Sequence, residues 1–440
     1  MNASPTTPPL RLECPPGAIL IGGDLHLGRM SAQVASAHQA AARAVAAWGR
    51  LVELALARKV SAVLLAGDVV DDGSRFWEAI GPLETGVRRL ANAGIPTVAV
   101  AGNHDHEVLA RLADRMDANA FVLLGRDGAW ARGSLCTAGR PWLHLDGWSF
   151  PRATVSASPL DDYALGDADD APILGLLHGD LGAATSRYAP LSELKLRTLP
   201  PSAWVVGHQH AALLNAPQGA AWTLVPGSPQ ALDAGETGRH GVWLLDGRHA
   251  PLEPPEFCAL SSVWYDTLEI DVSGVGARDA LDALLLRRLR SMASGIGELA
   301  GESLTQVLLR LRLSGRCGCL PDLRDAARGL LDDFELPAGA GTLTITSVDL
   351  DVLPELDLAA HARQHNALGA LARLLLDLSL PEPSDETRRL IETVHETLTR
   401  VAEDTAFQSL PPMPITATAA RERLAHQARA LMSELVEHGA

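Results

Sequence analysis

Aromatic residues are scarce in this 440-residue chain, at 4% of the composition. That scarcity argues against a surface that stacks single-stranded bases on rows of rings. Cysteine is nearly absent as well. The five present, Cys14, Cys136, Cys258, Cys317 and Cys319, are odd in number and scattered, which excludes a disulfide framework. "RCGCL" contains a C-x-C pair but no second pair to complete a zinc site, so these thiols read as ordinary core or surface groups. No apolar run reaches the roughly 18 residues that span a bilayer, and "MNASPTTPPLRLECPPG" has neither a basic nor an apolar leader region. A cytoplasmic chain without a membrane segment is expected. An excess of positive charge is also missing: Lys and Arg number 37 against 53 Asp and Glu, a formal net charge of -16. A surface that attracts nucleic acid over its whole area is thereby excluded. A local basic groove is not, and carboxylates that hold cations contribute to the same sum.

What is present is ample apolar material, 47% of the residues, for two or three domains of about 150 residues each. "GAILIGGD", "VSAVLLAGD" and "GIPTVAVAGNHD" read as buried strands separated by helical stretches. The second stretch, from Arg75 to Ala93, is interrupted by Gly81-Pro82. This order predicts an α/β sheet with parallel strands over residues 18–250, after a flexible N-terminus at 1–17. "APILGLLHGD", "SAWVVGHQH", "AAWTLVPGS" and "HGVWLLDG" are short strands with brief connections and predict a second, more antiparallel sheet. From Ser261 to Leu353 the order strand, helix, strand, helix, strand predicts a small α+β domain within 251–354. The remainder, 355–440, reads as helical.

The strands of the first region end in polar clusters: "GGDLHLG", "AGDVVDD", "AGNHDHE", "LGLLHGD" and "VVGHQH". Ligands in open α/β sheets sit beyond the carboxyl ends of the strands, so these turns are placed to converge. Carboxylates and neutral imidazoles are ligands for manganese, iron or zinc, and a two-metal centre needs a bridging carboxylate with several ligands on each side. Asp24 and His26, and likewise His208 and His210, are two apart and point the same way from an extended strand end. Asp68 suits a bridge, Asn103 offers a neutral carbonyl oxygen, and His178 completes the set.

In this order the motifs resemble the calcineurin-like metallophosphoesterase superfamily. Within it, "GDLHLGR", "GDVVDDGS" and "VPGSPQALDAGETGRHGVWLLD" resemble the DNA repair nucleases of the Mre11/SbcD kind. The resemblance covers about residues 18 to 246. It implies a four-layer α/β/β/α sandwich, a small α+β cap and a helical C-terminal arm. It further implies that Asp24, His26, Asp68 and His210 hold one divalent cation. Asp68, Asn103, His178 and His208 would hold the other, manganese being expected for both. A bridging hydroxide would attack phosphorus in line. His104 would stabilise the transition state and protonate the leaving oxygen, with Asp105 orienting it. Asp71 stands where some relatives place a further histidine, and Asp180 is a potential orienter of His178. The implied partners are DNA, an SMC/Rad50-like coiled-coil ATPase docked on the C-terminal helices, and a second copy of the chain.

Other residues read more plainly. His106, His38 and His144 are loop, core or supporting histidines. His240 is read the same way, with a phosphate contact as the alternative. Arg287, Arg288 and Arg290, and Arg310 and Arg312, fit either a phosphate track or a solvated face. Two other functions stay open beside a DNA exonuclease with endonuclease activity: a phosphoesterase for nucleotides or other small esters, and a scaffold for an ATPase. A scaffold does not require His104.

Overall fold

Apolar residues on successive positions of Ala18–Gly22 divide between two cores, because neighbouring strand side chains point to opposite faces. Leu20, Val63, Leu65 and Ala99 pack on one side with Trp48, Leu51, Leu83 and Val87 from the helices Ala44–Arg58 and Phe76–Asn92. Ile19, Ile21, Leu64, Ala66 and Val98 face the other way, against Leu135, Leu143, Leu145, Leu174, Leu176 and Val205 of a second sheet. Thus, in the computed structural model, a helical layer, two face-to-face sheets and an outer layer follow one another. The outer layer is thin. It consists of the 3-10 turn Pro159–Asp162, the short helix Glu193–Leu196 and extended chain packed on Trp148, Leu177, Trp204 and Val206. The structure describes residues 10–71, 76–168, 171–218, 221–332, 334–355, 357–403 and 416–437. Most of the N-terminal segment expected to be flexible lies outside them.

The first sheet has six strands in the order Glu256–Ala259, Gly241–Asp246, Ala18–Gly22, Ala62–Ala66, Thr97–Val100, Phe121–Leu123. The last four are mutually parallel. The second has seven, in the order Leu10–Glu13, Ala131–Thr137, Arg140–Trp148, Ile173–His178, Ala203–Gly207, Trp222–Val225, Leu213–Asn215. The expectation of a second, more antiparallel sheet fails, since two of its six pairings are antiparallel against two of five in the first. The connections at 149–172 and 179–202 are long enough to cross over between parallel strands, although little regular structure falls among their described residues. Nor does Gly81-Pro82 break its helix, which runs from Phe76 to Asn92 with Pro82 inside. Ala79, Leu83, Val87 and Leu90 are buried along it, and the Pro82 carbonyl accepts from Trp48 Nε1 at 3.1 Å. Tertiary burial outweighs the local breaker.

The chain divides into two compact units, one comprising 1–268, 289–310 and 333–347, the other 269–288, 311–332 and 348–440. This division runs through the α+β region and not at its ends. That region holds Val263–Asp271, the helix Arg278–Leu299, Gln306–Cys317, the helix Leu320–Asp332 and a hairpin of Glu335–Ala338 with Gly341–Pro354. In the second unit, helices Ala367–Ser379, Asp385–Glu403 and Ala417–Glu437 pack through Leu368, Ala372, Leu375, Leu378, Ile391, Ala420, Ala428 and Met432. Among the described residues no helix is long and apolar enough to cross a membrane.

Candidate metal centre

The strands Ala18–Gly22, Ala62–Ala66, Thr97–Val100, Ile173–His178 and Ala203–Gly207 end together, and the polar clusters follow them. Asp24, His26, Asp68 and His208 have φ of 48°, 46°, 47° and 102°. Among the described residues they are four of nine non-glycine residues in the left-handed region, so backbone strain is concentrated here. Asp24 and His26 therefore converge through left-handed turns beyond the strand, not through the alternation of an extended strand. The turns are held by the Asp24 and His26 amides, which donate to the carbonyls of Gly67 and Asp68.

All seven predicted ligands come together. Asp24, His26 and His210 form one cluster, and Asp68, His178 and His208 a second. His26 Nε2 lies 3.9 Å from Asp68 Oδ2, and His178 Nε2 lies 3.4 Å from the same oxygen, which places Asp68 between the clusters. Asn103 Oδ1 is 3.2 Å from His178 Nε2. Asp24 accepts from the His208 amide at 3.0 and 3.1 Å.

The outward ring nitrogens fix the tautomers. His178 Nδ1 donates to the Ala66 carbonyl at 2.9 Å, His26 Nδ1 to Asp71 at 3.1 Å, and His210 Nδ1 to Glu236 at 2.5 Å. Nε2 of each faces inward, and those of His26 and His210 are 3.0 Å apart. Two imidazole lone pairs at that distance repel unless a proton or cation lies between them. The donor set thus fits divalent metal: buried carboxylates, one amide oxygen and oriented imidazoles. Burial, reinforced by Asp68, pushes the Asp24 carboxyl up to about 6. Burial alone would raise Asp68 too, but His178 and His26 hold it well below the usual carboxylate range. Burial disfavours a charged His178, yet Asp68 and Asp24 outweigh it and push the ring up to about 9. Burial and the charge on His178 push His208 down to about 4. These groups titrate as one interacting network.

Several sequence assignments change. Asp105 does not orient the His104 ring: its Oδ2 accepts from the amides of Val69 at 2.6 Å and Val70 at 3.3 Å, and its Oδ1 from Gly102 at 2.8 Å. It is fully buried and ties the loop carrying Asp68 to the loop carrying Asn103. Nor is Asp180 the orienter of His178, because that nitrogen is bonded to Ala66. Asp71, whose role the sequence left open, is the partner of His26. His240 is buried, and its Nδ1 lies 2.9 Å from the Ser228 hydroxyl, which donates to Glu236. It therefore belongs to the network that supports His210 through Ser228 and Glu236. His104 is exposed, its ring edge-on to His26 with centroids 5.2 Å apart, and its amide donates to Asp68 Oδ1 at 3.0 Å. His106 begins the helix His106–Ala113 and contacts the Asn103 carbonyl at 3.3 Å. His144 is buried beside Ser134, and His38 ends a 3-10 turn.

Sequence reasoning missed Glu236, whose only signal was an acidic residue inside "DAGETGRH". It also missed Tyr188, whose ring lies 5.2 Å from His208 under the Arg187 guanidinium. No local motif marks that pair. Of the basic residues noted from sequence, Arg312 is paired with Glu269 and Asp349, while Arg287, Arg288, Arg290 and Arg310 are exposed.

A family model described as calcineurin-like phosphoesterase matches residues 17–212, which contain every one of these ligands. Residues 17–212 thus resemble the calcineurin-like metallophosphoesterase superfamily. Members carry a dinuclear metal centre, and two clusters with Asp68 between them suit that arrangement. The chain is similar to the uncharacterized metallophosphoesterase YhaO of Bacillus subtilis (strain 168), with 26% identity over 291 residues, covering 64% of this chain. It spans 66% of that relative's length, slightly under two thirds. Among solved structures it is similar to a dimetal phosphatase from Danio rerio, at 13% identity and a TM-score of 0.34, covering 52% of this chain and 92% of that one. Another is nuclease MPE of Pseudomonas putida, at 12% identity and a TM-score of 0.23, covering 52% and 84%.

Proposed function

We propose that this metallophosphoesterase hydrolyses phosphodiester bonds of DNA as an exonuclease with endonuclease activity, using manganese. Phosphoester hydrolysis follows from the family and the ligand set. The observation that carries the choice of a polymer is the exposure of His104 beside the buried Asp24, His26, Asp68 and His178. Small-molecule sites enclose most of their ligand, while a backbone passing over a surface meets only its reacting phosphate. The cations, when bound, supply Lewis-acid activation of the phosphoryl group and of water. The chain supplies position and proton transfer. Asp68, clamped by the His104 amide, fixes the spacing of the two clusters. His104, at the mouth, holds a proton for the leaving oxygen. Arg29, 3.9 Å from Asp71, and the exposed Arg187 over Tyr188 provide cations for flanking phosphates. Arg187→Ala should weaken DNA binding and flatten its salt dependence.

The nuclease acts in repair with an SMC/Rad50-like ATPase that docks on the C-terminal helices, and as a homodimer. The resemblance in "GDLHLGR" and the closing segment supports this, as does the separately packed helical bundle. A manganese assay series tests the activity, comparing single- and double-stranded DNA with a generic phosphodiester and a phosphomonoester, with His104→Asn as control. DNA digestion lost in His104→Asn supports the reading. Efficient turnover of small esters with DNA untouched, with or without the ATPase, would refute it in favour of a small-substrate phosphoesterase. Truncation after Leu353 should abolish ATPase binding and spare metal binding; undiminished ATPase binding would refute the docking.

A further inference from the structure

A cleft of about 670 Å³ lies wholly within the second compact unit, and no metal-centre residue lines it. Arg316, exposed on Gln306–Cys317, and Arg429, half-buried on the helix Ala417–Glu437, both face it, with His426 one turn before Arg429. Arg316 is presented by a fixed turn: Gly315 has φ 106°, a Cβ there would come within 2.2 Å of Asp271 Oδ1, and the Arg316 amide donates to Ser273 Oγ at 3.2 Å. Among the described residues neither guanidinium has an ion pair. Arg429 Nε is buried with no hydrogen-bond partner. Burial, and then the charge of Arg316, push the Arg429 pKa down. The charged group felt by Arg429 is thus another cation, in a chain that carries 53 carboxylate side chains against 37 Lys and Arg. Asp351 and Glu355 also line the cleft, yet neither is paired with the arginines.

A buried, unpartnered guanidinium nitrogen is costly unless a ligand satisfies it. Two guanidiniums balance a dianion, and their planar forks suit phosphate. The volume falls among those of small-molecule sites, roughly 300 to 1,000 Å³, and is too large for a lone phosphate. We propose that this cleft binds a phosphomonoester of nucleotide size, with its phosphate between Arg316 and Arg429 and hydroxyl or amino groups of its organic part donating to Asp351 and Glu355. The assignment is independent of what the metal centre hydrolyses.

Calorimetric titration of the full chain with AMP, inorganic phosphate and adenosine tests it. Each titration is run with manganese and again with EDTA, so that phosphate held by the metal centre is subtracted. One AMP per chain should bind in EDTA, more tightly than phosphate, with no heat from adenosine. Arg316→Ala and Arg429→Gln should each weaken AMP at least tenfold. Arg316 is exposed, so its variant should melt at the wild-type temperature. The proposal is overturned if AMP does not saturate in EDTA or if Arg316→Ala leaves its affinity unchanged. Phosphate binding as tightly as AMP, which would leave a simple anion site, also overturns it.

Discussion

Replacing Asp105 by Asn separates two roles for the residue beside His104. Asp105 is fully buried and accepts from three amides, those of Val69, Val70 and Gly102, at 2.6, 3.3 and 2.8 Å. An asparagine keeps one accepting oxygen, which can serve Val69 and Val70, and turns an NH2 group toward the Gly102 amide. Burial and then Asp68 push the Asp105 carboxyl up to about 7, so above that pH one hydrogen bond to a charged group is lost and one buried N–H is left without an acceptor. At about 1.5–3 kcal/mol for such a bond, and on the order of 1–3 kcal/mol for the stranded donor, overlapping losses give a destabilisation of about 2–4 kcal/mol. Because the two tied loops carry Asp68 and Asn103, metal affinity should fall as well, by roughly 10- to 100-fold as for other groups that support ligands. Urea unfolding with chelator gives the first quantity and manganese titration the second. If Asp105→Asn keeps its stability and metal affinity and loses only turnover, like His104→Asn, then Asp105 orients the histidine and the reading from the structure is wrong.

Glu236→Gln removes the charged acceptor of His210 Nδ1, and manganese binding should weaken roughly 10- to 100-fold, read by titration. His104→Asn should lose turnover with metal content retained, whereas His106→Ala should be nearly silent; equal loss from both in a steady-state assay would mean the pair is wrongly assigned. Gly86→Ala inverts the usual helix rule. A Cβ there would lie 2.3 Å from Trp48 Nε1. The gain of up to about 1 kcal/mol in helix propensity should therefore be exceeded by overpacking of about 1–3 kcal/mol, seen as a lower melting temperature.

The ligand residues were legible because each ends a strand or follows one within a few positions, so short motifs carried them. What supports those ligands was not legible. Asp71 meets His26 across 45 positions and Glu236 meets His210 across 26, and no local pattern marks either pairing. Asp105 was misread because the family resemblance implied a contact with His104, while folding turned its carboxylate inward onto backbone amides. The parallel second sheet was hidden for a related reason: crossovers without long helices look like short loops. Left-handed turns at Asp24 and His26 could not be inferred either, because the residues that adopt them are not glycines.

Manganese stoichiometry and spin coupling test the two-cation centre most directly. Electron paramagnetic resonance during manganese titration of the full chain should show two ions per chain with an exchange-coupled signal, because Asp68 lies between the clusters. Asp68→Asn should abolish the coupling. A single ion per chain, or two ions without coupling in the unaltered protein, would contradict a shared Asp68 and with it the two-metal centre.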